Sequence, residues 1–80
     1  MRKTIIALTD SAARYADRHG IRAEVTTLDL DGQCVAGDII SFEREEMPHD
    51  FVILRRRWVI SGKRREFEIT LDHPARPLKA

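Results

Sequence analysis

The stretch that decides the fold is residues 52–71, VILRRRWVISGKRREFEITL. Two runs rich in β-branched, aromatic and charged residues flank Ser61-Gly62, and this pattern is typical of a β-hairpin with a short turn. If Ser61-Gly62 is a two-residue turn, the register of the two strands follows from it. The predicted cross-strand pairs on one face are then Ile60 with Lys63, Trp58 with Arg65, Arg56 with Phe67, Leu54 with Ile69 and Val52 with Leu71.

The same register predicts a ladder of opposite charges on the second face of the hairpin. Arg57 lies opposite Glu66, and Arg55 lies opposite Glu68. Each such pair contributes about 0.2–1 kcal/mol to a sheet. The hairpin is therefore expected to have one mainly apolar face and one charged face.

A second hairpin is predicted just before this one. Residues 25–30 and 35–42 read as strands, and Asp31-Gly32 between them is a strong signal for a two-residue turn with positive φ. Gly37, inside the second run, indicates a bulge or a bend that would let a small sheet curl. Residues 43–50 are polar and contain a proline, so we expect a mobile loop there.

The N-terminal segment has the spacing of an amphipathic helix. Ile5, Leu8 and Ala12 recur at intervals of three and four residues, which predicts a helix over about residues 4–19 that Gly20 ends. In an alternative interpretation, Thr9-Asp10-Ser11 is an N-cap that begins a shorter helix after an extended segment. We favour the long helix.

The 80 residues carry a net charge of +1, and 42% are hydrophobic and 34% charged. A chain of this length supports one hydrophobic core, so a single domain is expected over residues 1–80. Its predicted parts are the helix, a sheet over about 21–72 and a short tail over 73–80. The expected fold class is α+β, with the N-terminal helix followed by a strongly bent antiparallel barrel of four to five strands.

Few features of the sequence point to catalysis, metal binding or export. Cys34 is the single cysteine, and the three histidines lie far apart along the chain. No metal site, cofactor or catalytic residue is predicted, and we expect a protein that is not an enzyme. The first apolar run is too short for a secretion signal, and no run approaches the ~20 residues of a membrane span. A cytoplasmic location without membrane contact is expected.

The near-neutral net charge predicts no bulk attraction to nucleic acid, so binding would need a local patch. Six of the fourteen basic residues fall in the last hairpin, with Trp58 among them. Guanidinium groups beside an aromatic ring suit single-stranded nucleic acid. In the alternative interpretation, Arg55 and Arg57 neutralise the glutamates opposite them and Arg65 lies over Trp58. Three cations then lack an evident partner: Arg56, Lys63 and Arg64.

Residues 25–43, VTTLDLDGQCVAGDIISFE, resemble the first signature of the Sm-like family, especially its bacterial Hfq branch. The matching positions are Gly32, Gly37, Ile39, Ser41, Phe42 and Glu43. The resemblance implies a barrel of the Sm/SH3-like kind that binds single-stranded RNA. It also implies that Asp50 and Phe51 hold uracil, the first through a polar contact and the second by stacking. The full set of predicted RNA-binding residues is Asp50, Phe51, Arg56, Trp58, Lys63 and Arg64.

The chain is also similar to the Rof-like inhibitors of the termination factor Rho. The shared features are His19, Asp31-Gly32, the polar segment 43–50, residues 51–54, and Gly62 before Arg65-Glu66. This resemblance implies a protein-binding module that inhibits a transcription termination factor and contacts it through the N-terminal helix and acidic residues of the polar segment. Those residues would be Glu43, Glu45 and Glu46. A third alternative is a structural or interaction domain of unknown partner.

The expected partner is therefore single-stranded RNA or a protein of the transcription and RNA machinery. Pro74 and Pro77 argue against a regular final strand, which is the edge through which Sm-like rings assemble. A monomer or dimer is expected rather than a ring.

Overall fold

Two short helices and four strands make up the computed structural model, which describes residues 2–30 and 34–74. This composition agrees with the predicted α+β class. In chain order the elements are β1 (Arg2–Leu8), α1 (Asp10–Arg18), α2 (Arg22–Val25), β2 (Ile39–Arg44), β3 (Met47–Ile60) and β4 (Arg65–Asp72).

The four strands form one mixed sheet in the order β1-β4-β3-β2. β3 runs antiparallel to both β2 and β4, whereas β1 lies parallel to β4. The sheet is open, because β1 and β2 are its two edges. The predicted bent antiparallel barrel is therefore not what the described residues form. The difference arises at the N-terminus, where a segment predicted to be helical adds a parallel strand to the sheet.

The helix predicted over residues 4–19 is wrong in its first half, and the alternative N-cap interpretation is confirmed. The side chain of Thr9 accepts a hydrogen bond from the backbone N–H of Ala12 at 3.2 Å, which caps α1. The Thr9 hydroxyl also donates to the Asp72 carboxylate at 2.6 Å, and the Thr9 N–H donates to the Leu71 carbonyl at 3.0 Å. Contacts with β4 thus hold the junction between β1 and α1.

The hairpin predicted around Asp31-Gly32 is only partly present. Residues 22–25 form α2 instead of the start of a strand, residues 26–30 form no strand, and the Asp31-Gly32 turn lies outside the described residues. Gly37 has a φ of +97° and lies in a turn just before β2, which agrees with the predicted bend. Its N–H donates to the Ile53 carbonyl at 2.8 Å, so this turn is fastened to β3.

The predicted mobile loop over residues 43–50 is instead a tight hairpin turn. Arg44 in β2 faces Met47 in β3, and Glu45 and Glu46 between them have φ of 55° and 66°. Positive φ at both central residues is the geometry of a two-residue hairpin turn. The sequence hides this turn because glutamate is an uncommon residue in the left-handed region.

The β3–β4 hairpin is confirmed, but its register differs by two residues from the prediction. The Ser61 N–H donates to the Arg64 carbonyl at 2.8 Å, so the connection spans four residues. Trp58 consequently faces Phe67, and Ile60 faces Arg65. A shift by two residues leaves these side chains on their predicted face, because side chains alternate with period two.

A β-bulge at Leu54 changes the faces in the first part of β3. The register shifts between Ile53 and Arg55, so Ile53 faces Leu71 in place of the predicted Val52. Phe51 and Ile53 therefore enter the core, whereas Val52 lies on the other side of the sheet and Leu54 is exposed. Val52 and Leu54 were predicted on the apolar face, and that part of the prediction is wrong.

The core lies between one face of the sheet and the two helices. Small side chains on α1 let the helix approach the strands closely, and Val25 of α2 and its N-cap residue Ile21 add two aliphatic side chains. The buried cluster consists of Ile6, Ala12, Ala16, Ile21, Val25, Phe51, Ile53, Phe67, Ile69 and Leu71. Within the described part of the chain, no helix has the length and apolar character needed to cross a membrane.

Candidate binding sites

The β3–β4 hairpin extends beyond the core and exposes apolar side chains at its tip. Trp58 is 45% exposed and Ile60 is 68% exposed, although both lie on the core face of β3. The Trp58 ring packs against the buried Phe67 ring with 4.6 Å between centroids. This contact anchors the indole while a large part of it stays open to solvent.

A cavity of about 530 Å³ opens beside this ring. Its volume falls within the ~300–1,000 Å³ typical of ligand sites. It is formed by the end of β3, the four-residue connection and the start of β4. The lining residues are Trp58, Ile60, Ser61, Gly62, Lys63, Arg64 and Arg65.

Positive charge is concentrated in this hairpin. Residues 55–68 hold six basic and two acidic side chains, and the remainder of the sequence holds eight basic and eleven acidic ones. The two glutamates form ion pairs with Arg64 and Arg57, at 3.6 Å for Glu66 with Arg64 and 3.2 Å for Glu68 with Arg57. These pairs differ from the predicted ladder because of the two-residue register shift. The hairpin keeps a positive excess even after both carboxylates are counted.

Arg55 and Arg56 illustrate the two faces of the hairpin. Arg55 faces Thr70 across the sheet, where Glu68 was predicted. The Arg56 guanidinium donates a hydrogen bond to the Cys34 carbonyl and lies 5.9 Å from the centroid of the Phe67 ring. Arg56 therefore connects the hairpin to the segment before β2, in addition to contributing charge.

The predicted RNA-binding residues do not all meet. Trp58, Lys63 and Arg64 line one cavity, and Arg56 lies on the same face of β3 as Trp58. Phe51 is fully buried, so its ring has no open face on which a base could stack. The bulge at Leu54 and the alternation along β3 direct Phe51 into the core.

Asp50 is also separated from the hairpin tip. As the neighbour of Phe51 in β3, it lies on the opposite face of the sheet. Its carboxylate accepts a hydrogen bond from the Ser41 hydroxyl at 2.6 Å. The predicted pairing of Asp50 with Phe51 in a uracil site is therefore wrong for this fold.

Sequence analysis missed Ile60 and Arg65 as members of the tip. Both lie on the face that carries Trp58, and the available signals were the alternation along β3 for Ile60 and the hairpin pairing for Arg65. The acidic residues of the alternative protein-binding surface, Glu43, Glu45 and Glu46, are exposed on β2 and its turn.

A cluster of aromatic and imidazole rings forms a second feature, at the other end of β3. The ring of Tyr15 lies 4.3 Å from that of His19, 5.6 Å from that of His49 and 3.8 Å from that of His73, between centroids. The Tyr15 hydroxyl and His49 Nδ1 form a hydrogen bond of 2.7 Å. All three histidines of the chain thus surround its single tyrosine.

The three histidines are therefore not simply exposed or helix-capping residues. His19 does occupy the C-cap of α1, but His49 is only 4% exposed. Burial lowers the pKa of His73; Asp72 raises it, and the neighbouring His19 and Arg18 act in the same direction as burial. The burial of His49 is indicated by the alternation along β3, which puts Met47, His49 and Phe51 on one face of the strand.

A cleft of about 370 Å³ adjoins the ring cluster, lined by His19, Arg44, Glu45, Met47 and His49. Arg44 spans its rim, where the guanidinium donates to the Gly20 carbonyl at 2.8 Å and to the Glu24 carboxylate at 3.0 Å. Among residues 2–30 and 34–74, no three His, Cys, Asp or Glu side chains are grouped closely enough to hold a metal ion.

Comparison with protein-family models, with curated proteins and with solved structures found no match to this chain. The chemistry of the hairpin tip and of the cleft is therefore the basis for assigning a function.

Proposed function

We propose that this protein is a non-enzymatic module that binds single-stranded RNA through the tip of the β3–β4 hairpin. The observation that carries the proposal is the coincidence of charge and exposed aromatic surface. Residues 55–68 hold an excess of four positive charges, and the anchored Trp58 ring lies among them. The rest of the chain has an acidic excess, so electrostatic attraction would orient a polyanion toward this hairpin.

The cationic side chains and the indole ring of Trp58 have different roles in binding. Lys63 and Arg65 line the cavity beside Trp58, where they can meet phosphate oxygens. The exposed part of the indole offers aromatic surface for stacking, which is accessible only to a base that is not already stacked within a duplex. The combination favours single strands over duplexes, with little preference for sequence.

The proposal is tested by fluorescence anisotropy with short labelled oligo-U and oligo-A. We expect saturable binding at low salt, with an affinity that falls steeply as salt rises, because each phosphate contact releases a condensed counterion. A duplex of the same length should bind more weakly. Absence of saturable binding to either oligonucleotide at low salt would refute the proposal.

Charge reversal locates the binding surface. Lys63→Glu combined with Arg64→Glu should abolish binding. The matched control is Arg14→Glu combined with Arg18→Glu, which changes the net charge equally on exposed positions of α1. The control should retain most of the affinity, apart from the loss of long-range attraction. Equal loss in both double variants would show that only net charge matters.

The stacking contribution is tested separately by Trp58→Ala. Loss of one stacked base costs about 1–3 kcal/mol, which corresponds to a weakening of roughly 5- to 150-fold. Trp58→Phe keeps an aromatic face and should restore most of the affinity. If Trp58→Ala binds RNA as well as the wild type, stacking on this ring is not part of recognition.

A further inference from the structure

We propose that the cleft between the end of α1 and the start of β3 binds one monovalent copper ion through His19, Met47 and His49. These three side chains line the same cavity and come from two elements that the fold brings together. They provide two imidazole nitrogens and one thioether sulfur. The site is independent of the hairpin tip and of the RNA-binding proposal.

The spacing of the two imidazoles suits a shared metal ion. The ring centroids of His19 and His49 are 5.1 Å apart, and the rings are inclined at 56°. When two imidazoles bind one ion with metal–nitrogen distances of about 2.0–2.1 Å, their centroids lie about 5 Å apart. The separation of the two rings is therefore compatible with one shared ion.

His49 is already oriented for this role by Tyr15. The Tyr15 hydroxyl occupies Nδ1 at 2.7 Å, which leaves Nε2 as the nitrogen available to a ligand. His49 is 4% exposed, yet no fully buried side-chain nitrogen or oxygen in the described residues lacks a hydrogen-bond partner. Nε2 has no such partner among the described residues, so it is not fully buried, and His49 lines the cleft. A hydrogen bond to the second ring nitrogen is the usual support of a metal-binding histidine.

Met47 decides which metal the site prefers. It lies two residues before His49 in β3 and hence on the same face of the strand, and it is 55% exposed where it lines the cleft. A thioether is a soft ligand that selects monovalent copper over harder ions, and imidazole also suits copper. The donor set therefore points to Cu(I).

The charges around the cleft tolerate a monovalent cation. The guanidinium of Arg44 is paired with the Glu24 carboxylate at 3.0 Å, which offsets its charge. Glu45 lines the same cleft and contributes a negative charge. A single positive charge is therefore accommodated at a lower electrostatic cost than two would be.

The test is an anaerobic titration of the full chain with Cu(I) in competition with the chromophoric chelator bicinchoninate. We expect the wild type to withdraw one equivalent of copper. Met47→Leu and His19→Gln should each weaken binding tenfold or more. Both positions are exposed, and circular dichroism would verify that the variants are folded.

Two control variants exclude other donors on the chain. Cys34→Ser removes the single thiol, and His73→Gln removes the imidazole that stacks on Tyr15 without lining the cleft. Both should still withdraw one equivalent. Loss of copper binding in Cys34→Ser would overturn the proposal, as would unchanged affinity in Met47→Leu or no competition by the wild type. None of these variants should alter RNA binding, so the two proposals fail or succeed independently.

Discussion

The two ends of strand β3 differ sharply, although one continuous strand forms both. At its start, His49, Phe51 and Ile53 point under the helices and are buried. Beyond the bulge, every residue from Leu54 to Ile60 is exposed. The difference shows that strand formation and burial are decided separately, because β4 pairs with the distal part of β3 whereas the helices cover only the first part.

The two ends also use polar groups differently. At the covered end, Nδ1 of the buried His49 forms one short hydrogen bond with the Tyr15 hydroxyl. At the distal end, cations stand in solvent, and the Arg57–Glu68 ion pair has an arginine that is more than half exposed. Buried polar contacts cost more to break than exposed ones, so mutations should separate the two ends.

The largest difference in stability is expected between two variants that each remove one aromatic ring, one at either end of β3. Phe51→Ala should destabilise the protein by about 3–5 kcal/mol, because it leaves a cavity in the core. Trp58→Ala should cost only about 1 kcal/mol, mainly through the lost contact with Phe67. Urea unfolding followed by circular dichroism measures both values. A larger loss for Trp58→Ala would mean that the distal hairpin, and not the covered end, holds the fold together.

An intermediate effect is expected for Tyr15→Phe. This variant keeps the ring contacts with the three histidines but removes the hydroxyl that bonds to His49 Nδ1. The buried nitrogen then lacks its partner, which costs about 1–3 kcal/mol. The same unfolding assay measures the loss. Wild-type stability in Tyr15→Phe would show that water reaches His49 and replaces the hydroxyl.

The smallest effect is expected for the ion pair between Arg57 and Glu68 on the distal hairpin. A double-mutant cycle with Arg57→Ala and Glu68→Ala should give a coupling energy of about 0.2–1 kcal/mol, because the arginine is largely solvated. The coupling should decline further as salt screens the pair. A coupling energy larger than the loss of stability in Tyr15→Phe would contradict the expected difference between the two ends of β3.

Several elements of the fold follow from the sequence because their signals are local. The β3–β4 hairpin is predicted by the alternation of its residues. The N-cap at Thr9 is one of the two interpretations that the sequence of the N-terminal segment allows. Other elements of the fold depend on contacts between distant segments, which the alternation of residues along a strand does not encode. The helical spacing of Ile5 and Leu8 suits a strand equally well, and pairing with β4 decides between the two. The bulge at Leu54 is likewise not indicated by the type of residue at that position.

The candidate sites divide in the same way. Trp58, Lys63 and Arg64 are close in sequence, so their common position was predictable. His19, Met47 and His49 meet only because the end of α1 packs beside the start of β3. The resemblance to the Sm-like family implies a binding role for Phe51, whereas its burial is evident only in the assembled core.

By itself, the sequence determined that one hairpin would carry a concentration of cations around a tryptophan, because strand alternation and charge are properties of neighbouring residues. Only the tertiary structure decided that the sheet is open and mixed, that a bulge directs Phe51 inward, and that three histidines gather around Tyr15. The physical reason is the range of the interactions. Turn chemistry and period-two alternation act over a few residues, whereas strand order and ring clusters require packing between segments that lie far apart along the chain.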